Sequence, residues 1–379
     1  MAHDVLITVT DPLWPGDELR YHPGEVNLRR ADIVVVNKVD VAEPAGVEAV
    51  LASVAQTNPG ATVVQAASPV SLDAGPPLDG ARVLVVENGG VATLRAMLLT
   101  PRYGEPSILR FDLDLGDPSI PLLRQRRRLA TLLGGLDEEQ WAAASRCEGW
   151  SVQDVIAHLV GTNEFWAFSI GAGLAGEPTR FLATFDPVAT PAELVASVRS
   201  QSPADVLERF VATNEAVADV VADLDDDGWS TIGEAPPGHV PLRAVALHAL
   251  WDSWVHERDV VLPLGLEPVE EPDEIIGCLG YGAALSPAFT VSRGGERQGA
   301  ISVEATDPDA RFVVEVGESV IVRAGDVPDD ALRLTGPAVA LAEALSFRVP
   351  LPCPVADDHQ WLLSGLAEAF DRSDSGSRV

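Results

Sequence analysis

The sequence predicts a multidomain chain. It has a partial α/β parallel-sheet segment over residues 1–100, a linker over 101–117, a four-helix bundle over 118–265 and a small α+β domain over 270–375. Three observations carry this reading. The 379 residues exceed what one domain of roughly 150 residues needs. Short β-rich runs before residue 100 give way to long helical periodicities. Beyond about residue 270 strand patterns return and are followed by helices, the order of a small α+β module. With 46% hydrophobic and 22% charged residues, the chain is neither disordered nor fibrous.

Each element has its own signal. Val5–Val9, Ile33–Val36, Thr62–Gln65 and Val83–Val86 read as buried strands, with Pro44–Ala55 as a crossover helix, so the segment looks like part of an open parallel sheet. Pro, Gly and Asp in 101–117 mark a connection. The first bundle helix covers Ile120–Leu133. The second opens at Ser151, with Asp154 three residues on in a capping-box pattern. A third lies within Pro191–Leu224, interrupted at Ser202-Pro203, and a fourth follows Pro241 at its first position and runs to Val261. Four amphipathic helices of this length suggest a bundle. In the last segment Ile301–Ala305, Phe312–Val316, Val320–Arg323 and Leu332–Leu334 read as strands, with helices over Pro337–Ser346 and Gln360–Phe370. No repeat of 20–50 residues is visible.

Charge excludes two function classes. Fifty-seven acidic against 26 basic residues give a net charge of −31, a surface that repels phosphate backbones and anionic lipid, so neither nucleic acid nor a membrane surface is an expected partner. The basic cluster Arg124, Arg126, Arg127 and Arg128 reads as a solvated helix face paired with acids. No apolar run reaches the roughly 18 residues of a membrane span, and the first residues lack a signal-peptide pattern, so the expected location is cytoplasmic. Cys147, Cys278 and Cys353 are too few and too far apart for a disulfide scaffold or a zinc knuckle.

The best chemical constellation is on the fourth helix. Asp252 and His256 stand four apart and project from one face; an imidazole and a carboxylate at that spacing can share a divalent ion. His158, on the helix opened by Ser151, is the natural third ligand, and three ligands leave a position open for chemistry. The spacing equally allows a hydrogen-bonded pair beside a core histidine. His248, one turn before Asp252, reads as a supporting or structural group. Trp150, Trp166, Trp251 and Trp254 cluster on the same helices, as bundle core or as pocket lining. Three motifs are decoys: Gly171–Gly176 matches GxGxxG but ends a helix, Gly149–Gln153 lacks the closing glycine of a nucleophile elbow, and Val260 stands where a zincin has its second histidine.

The runs Cys147–Leu159 and Asp252–Asp259 resemble the two ligand motifs of the DinB-like, mycothiol-dependent maleylpyruvate isomerase family. Thr335–Leu345 followed by Pro350-Leu351-Pro352 resembles its sterol-carrier-like C-terminal domain. The resemblance covers about residues 118–372 and implies a DinB-like four-helix bundle with a sterol-carrier-like α+β domain. It also implies His158, Asp252 and His256 as metal ligands. Aspartate stands where the family has glutamate, which asks for a closer helix or gives a weaker site.

The function implied is a metal-dependent, thiol-using isomerase or S-transferase. Zinc is the ion expected from mixed nitrogen and oxygen ligands, and mycothiol is the thiol. A thiolate formed at the ion would add to a small electrophilic substrate. The resemblance also calls for a C-terminal cation facing a substrate carboxylate; Arg323, Arg333 and Arg348 are available and no motif chooses among them. No general acid and no oligomeric state can be named. The alternative is a non-catalytic metal- or ligand-binding regulatory protein.

A second resemblance covers residues 1–95. Asp11–Arg30 and Asn37-Lys38-Val39-Asp40 are similar to the cyclic 2,3-diphosphoglycerate synthetase family. An Asn-Lys-x-Asp motif after a strand reads guanine in P-loop GTPases, but a phosphate loop needs a lysine, and Lys38 is the only lysine in the chain. The segment is therefore expected to be a truncated, vestigial nucleotide-binding-like remnant; a nucleotide-sensing module is the other reading.

Overall fold

The computed structural model describes residues 6–12, 28–39, 42, 44–67, 102–104, 107–184, 189–292, 294 and 297–369. The expected strand Val83–Val86, Asp40 and most of the stretch 11–30 lie outside them. The chain divides into two compact units, Met1–Val86 and Glu87–Val379.

In the first unit β1 (Ile7–Thr10), β2 (Ile33–Val36) and β3 (Thr62–Gln65) pair in the order β1-β2-β3, parallel throughout. The helix α1 (Pro44–Thr57) makes the β2-to-β3 crossover, as parallel neighbours require. Val34 and Val36 from β2 pack with Leu28, Ala31, Val50 and Val54. The Lys38 ammonium lies 3.0 Å from the Asp11 carboxylate.

The second unit begins with β4 (Leu109–Asp112), which corrects the expectation of a plain connection over 101–117. β4 pairs parallel with β9 (Val320–Arg323), at the edge of a five-stranded sheet ordered β10-β7-β8-β9-β4. The other strands are β7 (Gly299–Thr306), β8 (Ala310–Val316) and β10 (Leu332–Pro337); β8 runs antiparallel to β7 and β9, and β10 parallel to β7. Residues ahead of the bundle thus complete the sheet behind it.

Between β4 and β7 come α2 (Ser119–Leu133), the short α3 (Glu138–Ala142), α4 (Val152–Leu174), α5 (Ala189–Val198), α6 (Pro203–Val221) and the short α7 (Asp226–Ser230). The hairpin β5 (Ile232–Ala235) and β6 (Gly238–Pro241) follows, then α8 (Leu242–Val261) and α9 (Pro272–Ser292). The long helices α2, α6, α4 and α8 pack in a ring, each against the next: a four-helix bundle. Ser151 caps α4 through the expected box with Asp154, and Ser202 does the same for α6 with Asp205, which is why the helical pattern over 191–224 breaks there. Pro241 occupies the N-cap of α8 rather than its first turn. Gly171 and Gly173 lie in the last turns of α4 and Gly176 has φ +78°, so the GxGxxG match is a helix end.

The sequence gives no sign of a boundary-crossing helix at α9, yet α9 binds bundle and sheet into one core. Leu247, Leu250 and Trp254 of α8 share a cluster with Leu279 and Phe289 of α9 and with Ile301, Val314 and Val322 of the sheet. The separation expected between 118–265 and 270–375 is accordingly not a gap between two cores. By length and hydropathy α9 could cross a membrane, but 83% of its apolar window is buried within the fold, the mark of a helix apolar all round because it is packed all round. The chain closes with α10 (Ala338–Leu345) and α11 (Trp361–Ala369), the latter packed on α9.

Candidate metal centre

His158 projects from α4, and Asp252 and His256 from one face of α8. The two helices pack side by side, which brings the three side chains together. Asp252 Oδ1 lies 3.6 Å from His256 Nε2 and 3.9 Å from His158 Nε2, and one donor atom from each residue lies within 4.8 Å of the others. The imidazole centroids are 5.0 Å apart, near edge-on. An ion bound at about 2.0–2.2 Å to each donor needs donors roughly 3–3.5 Å apart; the two Asp252–histidine distances are within a few tenths of an ångström of that range. Asp252 Oδ2 is buried and accepts no hydrogen bond. An ionised oxygen left so is costly without a cation, and the flanking imidazoles hold the Asp252 carboxyl far below the usual range although burial opposes this.

His256 is oriented from behind. Its Nδ1 lies 3.0 Å from Asp259 Oδ2. An ionised carboxylate can only accept, so Nδ1 donates and Nε2 is left to face the triad, the arrangement that fixes a metal-ligating imidazole. Burial would lower the His256 pKa, but the Asp259 bond, Cys147 and Asp252 outweigh it and push it up to about 10. Asp259 is fully buried and also accepts from Arg348 Nη2 and Nε at 2.7 and 2.8 Å and from Arg146 Nε at 3.0 Å. The Cys147 thiol donates to it at 3.3 Å. Arg146 continues to Glu343, which also receives Arg258. The loop before α4, helix α8 and the segment after α10 are tied together at this carboxylate. Cys147, His256 and Asp259 form a second group of ligating types, but the two arginines already satisfy Asp259.

On the solvent side an open cleft of about 390 Å³ is lined by residues 142–151 in part, including Cys147 and Trp150, with Asp154 and Arg199. The Trp150 ring stands 5.4 Å from that of His158. On the core side His248 Nδ1 lies 2.5 Å from the Tyr281 hydroxyl and its ring 4.8 Å from Trp166; burial pulls the His248 pKa down to about 4 against the pull of Asp252. His248 is thus a buried supporting group outside the triad. Trp166 and Trp254 are core, and Trp251 donates to Ser346 Oγ at 2.9 Å.

Two expectations about arginines change. Arg124 and Arg128 do pair with acids, namely Asp273, Glu274 and Glu257, but Arg126 is 1% exposed and is no part of a solvated face. Of the three C-terminal candidates, Arg348 reaches the site while Arg323 pairs with Glu315. Sequence reasoning does not single out Asp259 or Arg126, and it offers Arg348 only as one of three candidates. Asp259 had a signal, three residues after His256 and therefore on the same helix face; Arg348, 89 positions further on, had none.

Residues 122–261 match the family described as the mycothiol maleylpyruvate isomerase N-terminal domain. Two solved structures, the mycothiol-dependent maleylpyruvate isomerase and its H52A mutant, are similar at 17% and 16% identity and a TM-score of 0.45, each over 63% of this chain and 91% of theirs. The N-terminal segment is similar to arginine synthetase ArcE of Thermococcus kodakarensis, 49% identical over 101 residues. That match spans 27% of this chain and 22% of the relative, and it supports the expected resemblance of this segment to part of a larger synthetase. The helical segment of this chain, residues 122–261, is thus the part similar to the mycothiol maleylpyruvate isomerase N-terminal domain family.

Proposed function

We propose that the unit from Glu87 to Val379 is a metal-dependent, thiol-using enzyme, an isomerase or S-transferase acting on a small electrophile. The observation that carries the reading is the triad itself: two imidazole nitrogens and a carboxylate oxygen converge, with the other oxygen of Asp252 buried and unpartnered. His158, Asp252 and His256 would hold a divalent ion, zinc by its taste for mixed nitrogen and oxygen ligands. Such an ion supplies the positive charge that turns a neighbouring thiol into a thiolate near neutral pH. The family match makes mycothiol the thiol to test first.

The protein's own groups prepare the site. Asp259 holds His256 in the tautomer whose Nε2 faces the triad. Arg146 and Arg348 keep Asp259 ionised, with the Arg348 bond next to that of His256 in holding its pKa down once burial is overcome. Trp150 and Cys147 wall the cleft through which a thiol and an electrophile would approach. Arg348, one of the three arginines available to face a substrate carboxylate, spends Nε and Nη2 on Asp259 and Nη1 on the Ser346 carbonyl; here it positions Asp259.

The test is a cobalt-substituted full chain titrated with mycothiol and then offered unsaturated carboxylates. A thiolate charge-transfer band followed by thiol-dependent turnover is expected. Metal binding without a thiol band or turnover would leave the non-catalytic alternative.

A further inference from the structure

We infer that Arg126 and Trp166 form a carboxylate-binding subsite beneath the triad, one that takes an anionic group of the electrophilic substrate. The inference rests on the proposed enzyme reading and extends it to the residues of this chain that would hold the substrate's anionic group. Arg126 lies on α2 and is 1% exposed, Trp166 on α4 and 2% exposed. Arg126 Nη1 and Trp166 Nε1 are both buried donors without a partner. The rest of the guanidinium is spent on neutral groups: Nε and Nη2 bond Asn163 Oδ1 at 3.0 and 2.8 Å, and Nη2 the Ala249 carbonyl at 3.2 Å.

These contacts bring the two side chains to one stretch of α8. Asn163 stands one turn before Trp166 on α4, and the Trp166 ring lies 4.8 Å from that of His248, the neighbour of Ala249. Both side chains thus meet α8 at residues 248–249, one turn below Asp252. Two buried, unpartnered N–H donors at one stretch of α8 offer one partner for each oxygen of a carboxylate, and a charged bond sealed from water is at its strongest.

Charge points the same way. Around Asp259 three cations, Arg146, Arg258 and Arg348, are matched by Asp259, Glu343 and Glu270. Arg126 makes no ion pair among the described residues, and Asp252 is the only anion of the triad. A divalent ion on the triad leaves two uncompensated positive charges, Arg126 included. A thiolate removes one of them and a substrate carboxylate the other.

The experiment is calorimetry of the zinc-loaded full chain with succinate and acetate, unreactive carboxylates, and with acetamide as the neutral isostere. Wild type should bind the carboxylates and not acetamide. Arg126→Gln should weaken binding by at least about tenfold, Arg126→Lys should recover part of it, and Trp166→Phe should weaken it by a smaller factor. In all three variants zinc stoichiometry and the cobalt–thiol band should be unchanged, and near-ultraviolet circular dichroism would verify folding. Equal binding by Arg126→Gln and wild type overturns the subsite, as does no carboxylate binding by a wild type that takes zinc and thiol normally; a buried water would then occupy the donors. If wild type takes no metal the enzyme reading fails, and the same titration of the metal-free chain decides the subsite. Carboxylate binding lost in Arg126→Gln supports it, and none overturns it.

Discussion

Replacing Asp259 by asparagine should cost the protein both stability and metal affinity. The carboxylate is fully buried and accepts from two guanidinium groups at 2.7 to 3.0 Å, from the His256 imidazole at 3.0 Å and from the Cys147 thiol. Breaking a buried ion pair by removing one partner costs about 3–5 kcal/mol. Arg146 and Arg348 are about one-fifth exposed, and Arg146 keeps Glu343, so solvent and the second acid recover part of this. A loss of about 2–3 kcal/mol is expected. The amide can donate to His256 Nδ1 and so favours the tautomer with its proton on Nε2, the nitrogen facing the triad; loss of such an orienting carboxylate lowers metal affinity by about 10–100-fold. Urea unfolding of the metal-free protein measures the first effect and zinc competition with a chelator the second. Asp259→Asn within about 1 kcal/mol of wild type and with unchanged zinc affinity would refute the orienting role.

Three further outcomes are expected. Metal uptake should release a proton from His256, whose pKa is pushed up to about 10 in the metal-free chain; zinc affinity should then rise with pH between 7 and 9, and an affinity flat across that window would contradict it. The pKa of His248, down from 6.5 to about 4 in the fold, means the unfolded chain binds more protons between those values. Stability is therefore present above 6.5 and lost as pH falls toward 4, by up to about 3 kcal/mol, and unfolding of His248→Gln should lack that loss relative to wild type. Gly365→Ala in α11 should destabilise, because a Cβ there would sit 2.0 Å from the Ser286 carbonyl of α9. The clash outweighs the roughly 1 kcal/mol of helix propensity gained, so a raised melting temperature would show the helices are less closely packed.

The triad was legible because an i, i+4 spacing on a helix is a geometric statement in itself, and the capping box at Ser151 fixed where the partner helix starts. What sequence could not show depended on long-range closure. Leu109–Asp112 is four residues among Pro, Gly and Asp, and becomes a strand only through pairing with Val320–Arg323. Helix α9, rich in glycine and carrying Pro287, has no polar face and so no amphipathic period to find. Arg126 was misread for a related reason. Four arginines within five residues suggest a solvated face, but two positions, just over half a turn of helix, separate a side chain paired with Glu274 from one sealed in the core. Arg348 meets Asp259 only after the sheet and α10 have folded.

The metal centre is tested most directly by metal analysis of the purified full chain, as isolated and after zinc is resupplied, beside His158→Ala and His256→Ala. The account predicts about one equivalent in wild type and near none in either variant, with all three folded. Wild type without zinc even after resupply, or variants that retain it, would show that His158, Asp252 and His256 are a hydrogen-bonded cluster and not a metal site.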